Sequence, residues 1–260
     1  MVGNLSAWLL CASLLCIPAV DYADSIAMSN ISFTNLEILP TAGSVQDLNV
    51  WSSVAFAQAQ NSNGEIDQEF SSNTGGASSI GATVTYATAS GFADVASLSG
   101  AASSNASILG AVDAQADSTG IGTLGSATLS NLFEITGGTG SVDVTFSVLI
   151  DGSNSVTTDQ LGLLAQSETV FGLEVNGQSE LGFDQLLVVG PSSTNSQTSN
   201  ETLSVTVPLN FGTTYTLVAE ADSESQAIDT TPEPATASLG IIGLGALGAY
   251  VRRKRTQTSS

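Results

Sequence analysis

Residues 202–211 have the sequence TLSVTVPLNF, in which polar and apolar side chains alternate at every position. The apolar members are Leu203, Val205, Val207, Leu209 and Phe211. A period of two predicts a β-strand with one buried face and one face in water. Pro208 lies on the polar face and has no N–H to donate, which predicts an edge strand or a strand unpaired at that point. Gly212-Thr213 then predicts a turn into a second strand from Tyr215, so that the two strands form a hairpin.

The same alternation recurs elsewhere along the chain. Residues 142–150 carry five apolar side chains at alternate positions, between a GGTG turn at 137–140 and Asp151-Gly152, and predict a strand with those bounds. Asn176-Gly177 follows another alternating run and is a strong signal for a two-residue hairpin turn. Residues 186–189 predict a more buried strand, since all four side chains are apolar.

The signals are weaker nearer the N-terminus. Ile31 with Phe33 predicts the first strand of the sheet. Another strand is predicted by the alternating side chains Leu48, Val50, Val54 and Phe56. Residues 91–130 consist mainly of Ala, Ser, Gly and Asp. Frequent Ser, Gly and Thr disfavour helix, and no cation is present for i,i+4 pairs, so this region favours thin strands.

Short alternating segments separated by turn signals are typical of all-β domains. We therefore predict a mainly β protein, an antiparallel β-sandwich of jelly-roll-like type. A β-solenoid is the alternative, and it ranks second because the sequence has no repeat of fixed period.

The charge of the chain is strongly one-sided. Its formal net charge is −20, from 24 acidic and 4 basic residues with no histidine, and all four bases lie within residues 252–255. Such a body repels nucleic acid and anionic membrane surfaces, which leaves cations as its natural charged partners. Without His or Lys in the body, the usual catalytic triads, Schiff-base lysines and zinc sites are excluded there. The composition therefore favours a protein that is not an enzyme.

The N-terminal segment resembles a secretory signal peptide. Residues 5–20 form an apolar run that is too short and too interrupted for a permanent membrane span. Ser25 and Ala27 satisfy the small-x-small rule for cleavage after Ala27, with Ala19 and Ala23 as weaker alternatives. We therefore predict a signal helix within residues 1–27 and an exported protein.

The C-terminal segment has three parts in a fixed order. Pro232, Glu233 and Pro234 form a stiff extended tripeptide, because both prolines lack a backbone donor and restrict the preceding residue. Residues 235–251 carry no charge, and as a helix they would extend roughly 26 Å, slightly less than a hydrocarbon core of about 30 Å. The basic cluster follows at once and consists of Arg252, Arg253, Lys254 and Arg255. By the positive-inside rule this cluster stays cytoplasmic, which places the rest of the protein outside.

In the order and spacing of these parts, the segment resembles the PEP-CTERM tail of exported bacterial proteins. The resemblance implies recognition and removal of the tail by exosortase, a membrane-embedded transpeptidase. It divides the chain into a signal peptide at 1–27, a β-sandwich body at 28–229 and a sorting tail with a transmembrane helix at 230–260. The implied partners are the general secretion machinery, exosortase and, transiently, the inner membrane. The processed protein is then expected at the cell surface or outside the cell.

Two acidic stripes are candidates for a calcium site. One comprises Asn61, Asn63, Glu65, Asp67 and Glu69, and the other comprises Glu220, Asp222 and Glu224. Carboxylates at alternate positions of a strand share a face and repel one another unless water or a cation lies between them. A solvated face of an acidic protein explains both stripes without a metal, and it is the preferred interpretation.

Three functions remain open at this point. The favoured one is an exported, non-enzymatic protein of the envelope or extracellular matrix. The first alternative is a calcium-dependent carbohydrate-binding module, with extracellular polysaccharide as partner and calcium as the one candidate cofactor. It would use the few aromatic side chains of the body, among them Trp51, Tyr86 and Tyr215. The second alternative is a secreted glycoside-active enzyme that uses a pair of carboxylates.

Overall fold

The computed structural model describes residues 25–61, 64–108, 121–158, 163–190 and 192–229. These residues form strands and turns, with no helix among them. The strands are β1 (Ser25–Pro40), β2 (Ser44–Asp47), β3 (Ser52–Gln60), β4 (Ile66–Thr74), β5 (Ala77–Val84), β6 (Ala87–Asp94), β7 (Ser99–Ile108), β8 (Ile121–Thr136), β9 (Ser141–Thr158), β10 (Leu163–Val175), β11 (Gln178–Val189), β12 (Ser193–Asn210) and β13 (Thr214–Asp229).

The strands form two antiparallel sheets that pack face to face. Sheet A has the order β12-β9-β1-β7-β6-β5, and sheet B has the order β11-β10-β13-β8-β3-β4, with the short β2 pairing to β8. Side chains from both sheets share one core, so the predicted antiparallel sandwich is confirmed for the described residues. Its antiparallel pairing is incompatible with the parallel β-solenoid that was the alternative. The jelly-roll detail stays a prediction.

Strict alternation builds the larger core. In β8 and β9 buried and less buried residues alternate along nearly the whole strand, as a period of two requires. Four phenylalanines of the larger core are fully buried, namely Phe33, Phe133, Phe146 and Phe171. The Phe33 and Phe171 rings lie 5.4 Å apart between their centroids, which joins sheet A to sheet B. This end of the sandwich is therefore held by large apolar side chains.

The predicted hairpin between residues 202–211 and the strand from Tyr215 is wrong. β12 pairs with β9 in sheet A, whereas β13 lies between β10 and β8 in sheet B, so the turn at 211–213 crosses from one sheet to the other. Leu209 and Tyr215 both enter the larger core, because β12 and β13 belong to opposite sheets whose apolar faces both point into the sandwich. The Asn210 N–H also donates a hydrogen bond of 2.7 Å to the Tyr215 hydroxyl.

The prediction that Pro208 marks an edge strand is confirmed, since β12 is the outermost strand of sheet A. Pro208 lies opposite Asp143 in β9. The Asp143 carbonyl accepts a hydrogen bond from the Thr41 N–H, so its backbone groups point toward β1 and away from β12. Asp143 and Pro208 therefore form a non-hydrogen-bonded pair, and the proline nitrogen faces the open edge of the sheet.

Several strand boundaries and faces differ from the sequence predictions. β9 does not end at Asp151-Gly152 but continues to Thr158, because β1 and β12 pair with it on both sides. Residues 186–189 belong to the edge strand β11, in which Leu186 and Val188 are half exposed. β3 buries a row of alanines, and Trp51 directly before it is also buried, while Val54 and Phe56 lie on the other face of β3. The predicted hairpin at Asn176-Gly177 joins β10 to β11 and is confirmed, as are the thin strands within 91–130 where the structure describes them.

Between the larger core and a smaller one, the two sheets approach closely. A Cβ added to Gly91 of β6 would clash with the Ser126 carbonyl oxygen and lie 2.8 Å from that of Phe56, both in sheet B. A Cβ added to Gly125 of β8 would clash with the Ser90 carbonyl and lie 2.7 Å from that of Ser103, both in sheet A. The backbones of the two sheets are therefore in contact at these glycines. The smaller core beside them is built mostly of alanines.

A buried group of four serines links the sheets between the larger core and the smaller ones. The Ser29 hydroxyl of β1 lies 2.7 Å from that of Ser104 in β7 and 2.6 Å from that of Ser223 in β13. Ser104 also donates to Ser225 of β13 at 2.8 Å. All four side chains are buried, and each hydroxyl has a partner in the group, so their burial costs little. We call Ser29, Ser104, Ser223 and Ser225 the serine cluster.

We expect the contact at Gly91 to dominate the stability of this part of the sandwich. Gly91→Ala should lower the free energy of unfolding by about 1–3 kcal/mol or more, because the methyl group overpacks a site closed by backbone atoms. Gly172→Ala is the matched control, since no atom lies within 4 Å of its added Cβ, and its effect should stay within about 0.5 kcal/mol. Urea denaturation of both variants measures the difference. Equal midpoints for the two would contradict the close approach.

A second prediction concerns the mature N-terminus. Ser25 and Ala27 are fully buried in β1, which pairs with β7 and β9 from Ser25 onward, and the Ser25 hydroxyl donates to the Leu164 carbonyl. Cleavage after Ala27 would remove these residues from the sheet. We therefore expect a mature N-terminus at or before Ser25, as cleavage after Ala23 would give. Intact-mass measurement of the exported protein tests this, and a chain starting at residue 28 would contradict it.

Candidate functional site

The outer surface of sheet B carries six carboxylates on three neighbouring strands. We call Glu168, Glu174, Asp184, Glu220, Asp222 and Glu224 the acidic face. The last three occupy alternate positions of β13, so they point to the same side of the sheet. Because β13 lies between β10 and β8, this stripe runs through the middle of the sheet. It is not at an edge.

The other three carboxylates of the acidic face were not singled out from the sequence. Register places Glu168 directly opposite Glu224, and it places Asp184 opposite Val170, which in turn lies opposite Asp222. Like charges in directly opposed positions destabilise a sheet. The Asn176-Gly177 turn sets the register of β10 with β11 only as far as Glu174 and Ser179, because a β-bulge between Leu173 and Glu174 then shifts it by one residue. The turn alone would place Asp184 opposite the buried Thr169, so the outward position of Asp184 could not be found from that signal. The pairing of β10 with β13 has no comparable signal.

Burial and mutual repulsion perturb this group. Desolvation, followed by the charges of Asp184 and Glu224, raises the pKa of Glu168. Desolvation also raises the pKa of Glu220, with the Asp222 charge adding to it and hydrogen bonds from Ser126 and Thr128 opposing it. The pKa of Asp222 is raised by desolvation, against a hydrogen bond from Ser126. The charged forms of these carboxylates are therefore less favoured than in water.

The first predicted stripe lies elsewhere and is held by local hydrogen bonds. The Asn61 amide donates to a Glu65 carboxylate oxygen at 2.8 Å, and the Glu65 N–H donates to the Asn61 side chain at 3.0 Å. Asp67 accepts a 2.7 Å hydrogen bond from the Thr83 N–H of sheet A. Glu69 is exposed on the edge strand β4. Asn63 lies outside the described residues.

The structure does not bring the two stripes together. Asp67 and Glu69 lie opposite Ala59 and Ala57, which are buried, so they belong to the inward side of sheet B at its edge. The β13 stripe is on the outward side, with β8 and β3 between it and β4. Within the described part of the chain, no three acidic, histidine or cysteine side chains are grouped as metal ligands. Calcium binding therefore stays a prediction, supported by charge alone.

The aromatic side chains named for carbohydrate binding lie mostly in the interior. Trp51 and Tyr215 are buried in the larger core, and Tyr86 packs against the smaller alanine core. Among the described residues the most exposed aromatic rings are instead Phe70 on sheet B and Phe92 on sheet A, with 63% and 40% of their surface accessible. Sequence alternation did not identify them, because each occupies an outward-facing position two residues after a polar side chain, Gln68 or Ser90.

We expect the acidic face to make the fold more stable as pH falls. A raised pKa means that these carboxyl groups hold protons more tightly in the folded protein than in the unfolded chain. Their protonation therefore stabilises the fold fully below the unfolded pKa of about 4, and this stabilisation is lost as pH rises through the raised folded pKa values. Asp222→Asn should raise the melting temperature at pH 7 by about 1–3 °C, since 1 kcal/mol corresponds to about 2–4 °C in a domain of this size.

The gain from Asp222→Asn should shrink at pH 5, where the wild-type carboxyl is closer to neutral. Asp143→Asn, an exposed change on sheet A, is the control and should leave the melting temperature unchanged at both pH values. Differential scanning calorimetry at both pH values measures these differences. A lower melting temperature for Asp222→Asn at pH 7 would refute the role assigned to repulsion.

The sorting tail, including Pro232, Glu233, Pro234 and the basic cluster at 252–255, lies outside the described residues. The predicted signal and transmembrane helices also lie outside them, and no membrane-spanning helix is found in the part that the structure describes. No curated protein and no solved structure is similar enough to the chain to count as a match. The model of the PEP-CTERM protein-sorting motif matches residues 230–255, directly after the end of β13 at Asp229. This motif indicates an exported protein that exosortase processes, and by its tail the chain is a PEP-CTERM protein.

Proposed function

We propose that this protein is an exported, non-enzymatic component of the cell envelope or extracellular matrix, delivered as a folded β-sandwich from which exosortase removes the tail. The observation that carries the proposal is the position of the motif. It begins at residue 230, and the last described strand ends at Asp229. A cut within the motif therefore leaves every described strand intact.

The composition of the body supports a structural role. Residues 1–251 contain no Lys, Arg or His, so Asp, Glu and Tyr are the main acid–base groups left for catalysis. The perturbed carboxylates Glu168 and Asp222 line, together with Glu224, a depression of about 240 Å³ on the outer surface of sheet B. Its other lining residues are Leu124 and Val170, so no aromatic ring lies there to hold a sugar. These features favour a non-enzymatic protein over the glycoside-active enzyme.

The negative net charge of the body supports a location outside the cell. Once the tail is removed, the only charged side chains of the protein are acidic, and copies repel one another. Negative charge also keeps the body away from the anionic membrane surface through which it is exported. The same charge would attract cations of the surrounding matrix to the acidic face.

The sorting proposal makes a direct prediction. Glu233→Gln, Pro234→Ala and deletion of residues 252–255 should each leave the protein in the inner membrane, because the recognised tripeptide or the cytoplasmic stop is lost. Cell fractionation with intact-mass measurement detects the retained tail.

Glu201→Gln is the matched control, since it removes one exposed glutamate from the body and leaves the motif unchanged. It should be processed as the wild type is. Normal release of the Glu233 and Pro234 variants with the tail removed would refute processing through the motif. Retention of the Glu201 variant would show instead that export fails for any loss of a body charge.

A further inference from the structure

A groove of about 260 Å³ crosses the outer surface of sheet A, on the side opposite the acidic face. It passes over β9, β1, β7 and β6. The polar and aromatic side chains that line it include Asn30, Ser32, Phe92, Ser103, Asp151 and Ser153. Three strand spacings of about 4.8 Å give it a length of about 14 Å.

The register of the sheet explains why a groove forms on this surface. One row across the strands runs from Asp151 through Ser32 and Ala101 to Phe92. The small side chains in the middle leave a depression between the carboxylate at one end and the ring at the other. The next row runs through Ser153, Asn30, Ser103 and Ser90, which line the groove with one amide and three hydroxyls.

These groups present a defined chemistry to a ligand. Phe92 offers an apolar ring that is 40% accessible. Asn30 supplies two amide donors and an acceptor, and Asp151 supplies acceptors, one of which has a long 3.4 Å contact from the Asn200 amide. Hydroxyls that both donate and accept complete the lining. An apolar ring beside mixed donors and acceptors matches a molecule with C–H faces and many hydroxyl groups.

Charge selects among such molecules. The groove contains one carboxylate and no cationic side chain, so an anionic ligand would lack a counter-charge. A cationic ligand would be drawn to the six carboxylates of the acidic face on the opposite sheet. A neutral ligand avoids both costs. We propose that the groove of sheet A binds a neutral carbohydrate chain, with Phe92 as the stacking surface and Asn30 and Asp151 as the main polar contacts.

This site differs from the calcium-dependent module considered from the sequence. It uses neither acidic stripe, and none of the aromatic residues predicted for sugar contact. Binding in the groove therefore needs no metal. The inference goes beyond sorting and export, and the fractionation assay can succeed or fail independently of it.

Affinity gel electrophoresis of the full-length protein tests the proposal. A polyoxyethylene detergent keeps the tail soluble without a sugar headgroup that would compete. Gels contain dextran, hydroxyethyl cellulose or galactomannan as neutral probes, and alginate as an anionic one. We expect at least one neutral polysaccharide to retard the protein, alginate to have no effect, and EDTA to leave retardation unchanged.

Variants locate the binding surface. Phe92→Ala should weaken retardation about tenfold, the loss typical of an aromatic contact at a binding site. Phe70→Ala removes an exposed ring from the other sheet and should bind like the wild type. Asp151→Ala should weaken binding, whereas Asp143→Ala, on the same face of β9, should not. Phe92→Trp should retain binding, which separates loss of the ring from loss of the fold.

Three results would overturn the proposal. The first is no retardation by any of the three neutral polysaccharides. The second is equal retardation of Phe92→Ala and the wild type. The third is retardation that EDTA abolishes, which would assign binding to a metal site elsewhere.

Discussion

Direct contact between the backbones of the two sheets at Gly91 and Gly125 is the constraint on which the rest of the sandwich depends. Where two sheets meet without side chains between them, only small residues fit in the neighbouring positions, and alanines and the serine cluster occupy them. The phenylalanine core lies on the other side of the serine cluster, where the sheets have room for rings. The sandwich is therefore thin at these two glycines and thicker around the phenylalanines.

The two outer surfaces of this sandwich have different electrostatics. Sheet B carries the carboxylates of the acidic face on three neighbouring strands. Their burial and the directly opposed like charges lower the stability of the folded protein. Sheet A presents mostly hydroxyls and amides, with a groove where small residues lie between Phe92 and Asp151. One surface thus repels anions and gathers cations, and the other offers neutral hydrogen-bonding groups. A two-sheet body can carry both without interference, because the core separates them.

Sequence alternation predicted most strands but not how they pair. A period of two predicts that Leu209 and Tyr215 lie on the buried faces of their strands, but it does not show whether the two strands pair in one sheet or belong to opposite sheets. Asn176-Gly177 located the hairpin of β10 with β11, but the β-bulge between Leu173 and Glu174 shifts the register beyond the first two pairs. The acidic face and the groove depend on pairings between distant strands, such as β10 with β13 and β1 with β9, which no local signal encodes. The tail was recognisable from order and spacing alone.

The orientation of Pro208 has a consequence for the exposed edge of sheet A. β12 is eighteen residues long and forms one border of sheet A, and such a border is a template onto which a neighbouring molecule can add a strand. Because the ring nitrogen faces outward, the template lacks a donor where it is most apolar. Addition of a further strand along this border is therefore disfavoured at Pro208.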